Sequence, residues 1–256
     1  MKKTSLVVLA VFTIFLLWFA GYFLVANPLL LPSPQAALLA FFSLFGNASS
    51  LMAIGMTILR LLAALAIAFL LCGALGILGG FKDGFATFFQ PVVTMLRTIP
   101  VISVIVIILI LFGFRSAPYI ITFLMIFPLI YQAFHDGIRN LDPELVDVYR
   151  LEDKGFFSGI WHCYLPLMRH SLETVMLQSA GLGIKVLVMA EYLSQTRNSI
   201  GNALYLSRIN LRYDEVFGWT ILLIIMAVGL ELLIGRFKKL KEKNTLPPAS
   251  RKSLKD

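Results

Sequence analysis

Long apolar runs separated by short polar breaks dominate this 256-residue chain. A bilayer core about 30 Å thick takes roughly 20 apolar helical residues per crossing. Six segments meet or approach that length: residues 6–26, 51–80, 98–114, 118–134, 172–193 and 216–235. The runs lack the two-residue alternation of a membrane barrel, and unpaired backbone edges cannot face lipid. The pattern therefore predicts an all-α polytopic membrane protein with about six transmembrane helices. The third segment is short, with Pro100 near its start, and is expected to be stunted or broken at its entry.

Between the runs, the proline-rich NPLLLPSPQ breaks the chain after the first helix, and residues 36–45 can then lie along the interface. Residues 1–50 form an N-terminal helix with an external segment. Residues 51–237 form a core, interrupted by a polar loop at 135–170. The polar stretch 238–256 reads as a solvated, disordered tail. Gly73, Gly76, Gly79 and Gly80 line the end of the second run; small residues let helices approach closely in lipid, against either a neighbour in the bundle or another subunit.

Composition agrees with the pattern: 59% of residues are hydrophobic and 14% charged, far from the soluble average. The net charge of +8 reads as a topology signal. With both termini cytoplasmic, the inner segments hold sixteen Lys and Arg, Arg97 among them, and the outer segments four, the asymmetry expected of retained positive charge. No basic stripe with interleaved aromatics supports nucleic-acid binding. The N-terminus lacks a small-residue cleavage site and reads as an uncleaved helix. Cys72 and Cys163 fall in a membrane helix and the inner loop, so no disulfide framework is expected. Asn47-Ala48-Ser49 fits a glycosylation acceptor, a match that chance accounts for.

The polar loop carries the most distinctive residues. Within LVDVYRLEDKGFFSGIWHCYLP, helical spacing places Phe156, Ile160 and Tyr164 on one face with Phe157 and Trp161 beside them. Such a helix can bind lipid headgroups, pack under its own bundle or fill a groove on a partner. His135, His162 and His170 lack metal-ligand spacing and read as surface histidines, so no metal site is expected. The nearest approach to a phosphate loop, GALGILGGFK, lacks the Gly-Lys-Ser/Thr ending, so no cofactor or ATP is expected on this chain and no catalytic residue is assigned. Intramembrane charges are functional candidates by default. Arg60 either snorkels to the outer interface or lines a path, and Lys185, deeper in its helix, either lines the path or packs. Glu191 is expected to tie packed helices together, and Glu231 to pair with Arg236 or a headgroup-level group.

The loop resembles the cytoplasmic EAA loop of bacterial ABC importer permeases, in which an acidic residue and two small residues precede a glycine and, later, a Leu-Pro. Asp147-Val148-Tyr149 stands for the acidic and small residues, and Leu165-Pro166 matches the Leu-Pro. Asp153 occupies the usual glycine position, with Gly155 two residues on. Thr57-Ile58-Leu59-Arg60, Pro91, Arg97-Thr98-Ile99-Pro100, Gly113, FPLIYQAFHDGIRNLDPEL and AEYLSQTRNSIGNALYLS are similar to the nitrate, sulfonate and taurine branch, and the resemblance spans about residues 51–237.

The resemblance implies a permease of the bacterial inner membrane, a homodimer working with a separate ABC ATPase and an external substrate-binding protein. ATP is then hydrolysed on the partner, and the chain itself is not an enzyme. The helix at 151–163 would insert into the ATPase, with Asp147, Gly155, Phe156, Phe157, Ile160, Trp161 and Pro166 serving coupling; Arg60 and Lys185 would be the residues of a path for a small nutrient such as nitrate, sulfonate or taurine. An ion-coupled secondary transporter or channel is the competing reading, yet the acids cluster in the loop and at helix ends instead of at the bilayer midplane. A membrane-anchored scaffold or enzyme would need a soluble domain or a catalytic constellation, and neither is found.

Overall fold

The computed structural model describes residues 3–142, 144, 146 and 156–245; the side chains of residues 3–5, 7, 156, 231 and 233–245 are outside that description. Every regular element among the described residues is helical: α1 (Lys3–Val25), α2 (Pro34–Ser43), α3 (Ala48–Phe81), α4 (Asp83–Thr98), α5 (Val101–Arg139), a loop helix in three short pieces (Phe156–Gly159, Ile160–Tyr164, Leu165–Leu167), α6 (Arg169–Ser194), α7 (Ile200–Ile209) and α8 (Tyr213–Thr245). Five of them are long and apolar enough to cross a membrane: α1, α3, α5, α6 and α8.

The third and fourth expected spans fall within α5, whose 39 residues are divided at Gly113 (φ 73°, ψ 174°), a conformation open essentially to glycine alone. The first limb, residues 101–112, is about 18 Å long at about 1.5 Å per residue, too short to cross alone. The 16-residue α4 precedes it, and the chain is extended at Ile99 and Pro100 between them. The anticipated break at the entry to the third span is therefore present, where Pro100 caps the new helix instead of continuing the old one. In series, α4 and the first limb are long enough for one kinked crossing.

Contacts divide the chain into two compact units, Met1–Ile58 with Glu191–Met226, and Leu59–Ala190 with Ala227–Asp256. In the first, α2 begins as its sequence dictates: Ser33 Oγ accepts from the Ala36 N–H at 3.1 Å, and Pro34 occupies the first helical position, where its missing donor costs nothing. A side chain at Gly218 would meet the Phe41 backbone at 2.9 Å, so α2 lies directly on α8. Trp18 stacks on Phe217 with centroids 5.3 Å apart and donates Nε1–H to the Pro32 carbonyl, tying α1 to the same unit. Asn47 Oδ1 accepts from Ser49 N–H and Ser49 Oγ, so the acceptor-like Asn-Ala-Ser is a helix-capping turn.

In the second unit, α3 and the second limb of α5 form the core with Ala68, Cys72, Phe127, Ile130, Phe134 and Ile138. The glycine row is consumed here. A Cβ at Gly76 would stand 2.6 Å from the Tyr131 carbonyl oxygen, and one at Gly80 would stand 2.8 Å from Ile138 Cβ. Of the two readings of that row, close packing inside the bundle is the observed one. At the other end of the chain, α8 continues to Thr245, eight residues into the stretch read from composition as a tail; residues 246–256 lie outside the described residues.

Candidate functional site

The loop helix presents two chemically different faces. Ile160, Cys163 and Met168 are buried in their own unit, and Tyr164 meets Phe81 edge-on at 4.9 Å. Phe157 and Trp161, one turn apart, are 78% and 69% exposed. Residues 160–164 form a π turn in which the Leu165 N–H donates to the Ile160 carbonyl five residues back. Pro166 accounts for it: lacking an N–H and crowding the carbonyl four residues back, it favours a widened turn just ahead of it. Burial pushes the Cys163 thiol pKa up from its ordinary value.

Of the residues expected to serve coupling, Phe157 and Trp161 are placed outward, together with an exposed Pro166. Ile160 is turned inward at 9% exposure and anchors the helix to its own bundle. Asp147, Asp153 and Gly155 lie outside the described residues, as does the Phe156 side chain. The π turn itself was not foreseen, although Leu165-Pro166 held its signal.

The intramembrane charges separate in the same way. Arg60 is buried at 6% exposure, so it does not snorkel to a free interface from this position. Lys185 is exposed, 16 residues after the start of α6 and nine before its end, about 24 and 14 Å along the axis. It lies on a polar stripe with Ser171, Thr174 and Gln178, and it lines a cavity of about 620 Å³ with Gln178, Gly181, Leu182 and Val228.

Arg97, counted from sequence among the inner-segment charges, stands near the end of helix α4. Asp83 pairs with Arg139, and Arg97 donates to Gln132 Oε1, so α4 runs antiparallel to the second limb of α5. Arg97 then lines a cavity of about 260 Å³ with Met125, Pro128, Leu129, Leu182 and Val186. Met125 to Leu129 lie 14 to 10 residues before the end of α5, about 21 to 15 Å along the helix. Arg97 thus stands beside the part of α5 that the sequence reads as a transmembrane run. A signal existed in the polar row Asp83, Thr87, Gln90, Thr94 and Arg97, whose alternating spacing of four and three is one helical face.

Glu191 is fully buried in the first unit. Thr57 Oγ1 stands 3.1 and 2.9 Å from its two carboxylate oxygens, the Gly201 N–H donates to it at 3.4 Å, and the Ile200 N–H donates to Thr57 Oγ1 at 3.0 Å. The carboxylate therefore sits at the start of α7, where free backbone donors favour negative charge. This supports the expected helix-tying role. No group of three or more His, Cys, Asp or Glu among the described residues is arranged to hold a metal ion.

Comparison with known proteins bears on the chain's family. The family model described as the binding-protein-dependent transport system inner membrane component matches residues 72–245. A protein of Bacillus subtilis (strain 168) that carries the assigned name aliphatic sulfonates transport permease protein SsuC is 25% identical over 228 residues, covering 87% of this chain and 79% of its own length.

Proposed function

Because the chain belongs to the family of binding-protein-dependent transport system inner membrane components, we propose that it forms the translocation path of an ATP-driven importer for small organic anions. The family consists of transport subunits, with ATP hydrolysed on a separate ATPase. The chain is accordingly a multi-pass inner-membrane permease and not an enzyme.

The observation that carries the coupling role is the exposed pair Phe157 and Trp161 on a helix whose opposite side is buried. Water-exposed aromatics of that size favour a partner groove, and a two-residue anchor fits a hot-spot contact better than a broad interface. The ATPase occupies that groove-forming role, and its ATP-driven closure biases the permease between inward-open and outward-open states. Two copies of the chain, an external binding protein and an anionic solute of sulfonate type complete the assembly. The sulfonate class is supported by the name of the relative and by the basic side chains in and beside the apolar runs. Counting α4 with the first limb of α5 as one crossing makes six; an even number returns the C-terminus to the side of the N-terminus, and the excess of Lys and Arg supports reading that side as cytoplasmic.

The test is mild-detergent purification of the tagged chain from its native membranes, with mass spectrometry of what accompanies it. An ABC-type ATPase is expected with the native chain and lost with Phe157→Ala/Trp161→Ala, while the variant stays inserted. A lone chain that supports proton- or sodium-driven uptake would overturn the importer reading.

A further inference from the structure

Leu182 of α6 lines two cavities of the second unit, the one holding Arg97 and the one holding Lys185. Leu182 and Val186, four residues apart, face Arg97; Gln178, Gly181 and Lys185 face the larger space on the other side. Two basic side chains from different helices thus bracket one exposed leucine of a transmembrane run. Among the described residues neither pairs with a carboxylate: Asp83, Glu173 and Glu215 pair with Arg139, Arg169 and Arg212, and Arg97 donates to the neutral amide of Gln132.

A lipid-facing charge along such a run is costly, and cations there are retained where they face protein or water. Ser171, Thr174, Gln178 and Lys185 share one side of α6, with Gly181 and Leu182 between the last two, so much of that face is unsuited to hydrocarbon. Both cavities are also edged by apolar side chains, which lower the local dielectric and lengthen the reach of each charge.

We infer that Arg97 and Lys185 form a two-station anion site on either side of Leu182, which selects small solutes carrying one negative headgroup and a short apolar body, and rejects cations. The planar Arg97 guanidinium can engage two oxygens of a sulfonate or carboxylate at once; Lys185 acts as a point charge on a flexible stem. The apolar part of the solute lies against Leu182. This inference deepens the importer reading and rests on it for the direction of travel, though the site itself needs no ATPase.

The test places a cysteine between the two charges. Leu182→Cys in the full chain, in native membranes, is treated from either side with two methanethiosulfonates of similar size, one bearing an ethylsulfonate and one an ethyltrimethylammonium. Cys72 and Cys163 are buried, and the chain without the new cysteine serves as the blank. Normalised to their rates with a free thiol in solution, the sulfonate reagent is expected to react roughly ten- to hundredfold faster than the cation, the range a focused field gives. Arg97→Gln and Lys185→Gln should each lower that ratio, the pair together should bring it to about one, and Arg97→Lys with Lys185→Arg should keep it above one.

No reaction with either reagent from either side would overturn the site, as would a ratio that either glutamine substitution leaves unchanged. Failure here with the ATPase still co-purifying would remove only the anion site. A charge-selective ratio without any ATPase would leave the site standing and remove the importer reading.

Discussion

Thr57→Val offers the most direct test of how the buried acid is held. Threonine and valine have nearly the same shape, so the substitution removes a hydroxyl and little volume. That hydroxyl works in two directions: it donates its single proton to the Glu191 carboxylate, 2.9 and 3.1 Å away, and accepts the Ile200 N–H at 3.0 Å. Valine can do neither. In water-soluble proteins a hydrogen bond to a charged group contributes about 1.5 to 3 kcal/mol, and a buried orphan donor costs about 1 to 3. Inside membrane bundles the measured values are smaller, averaging about 0.6 and reaching about 1.7 kcal/mol per bond, because the lipid-embedded unfolded chain finds partners too. Thr57 and Glu191 are both fully buried, so two lost bonds, each between the membrane average and its upper value, give roughly 1 to 3 kcal/mol. That corresponds to a shift of about five- to 150-fold in the unfolding equilibrium. The assay is denaturant unfolding of the purified chain in mixed micelles, with Thr57→Ser as the reference. Serine keeps the hydroxyl and loses one methyl, worth about 0.8 kcal/mol. Valine as stable as serine would refute the clamp and leave Glu191 held by its other contacts.

Further outcomes follow from the same kind of argument. Gly76→Ala would bring a Cβ within 2.6 Å of the Tyr131 carbonyl oxygen; splaying α3 from α5 should cost about 1 to 3 kcal/mol, read as a lower unfolding midpoint, and an unchanged midpoint would exclude the close packing. Gly113→Ala meets nothing within 4 Å, yet φ is 73°; a loss of about 1 to 3 kcal/mol or a straightened bend is expected, and a stable variant with unchanged helix geometry would show that the strain argument fails. Cys163 is buried and its thiol pKa is raised, so less thiolate is present at a given pH than for a free cysteine. Maleimide labelling should therefore be slow near neutrality and rise at higher pH than for a solvent-exposed cysteine; rapid labelling at pH 7 would contradict the burial.

Legibility differed between the two halves of the problem. Hydrophobic run length alone determined an all-α membrane fold, because only backbone-satisfied helices of about 20 residues serve in lipid, and that constraint is one-dimensional. The aromatic loop, the kink at Pro100 and the deep Lys185 were readable for the same reason: each depends on residue type and local spacing. Tertiary structure decided the rest. Helical spacing grouped Ile160 with Phe157 and Trp161, but only the packing of the loop helix sends Ile160 inward and leaves the aromatics out. A glycine row announces a close approach without naming the neighbour, and here it is Tyr131, Phe134 and Ile138 of the same chain. Arg97 looks like a cytoplasmic charge when α4 is read as a loop. The structure sets it beside the apolar run of α5, because α4 pairs antiparallel with α5, and run length carries no information on which helices lie side by side.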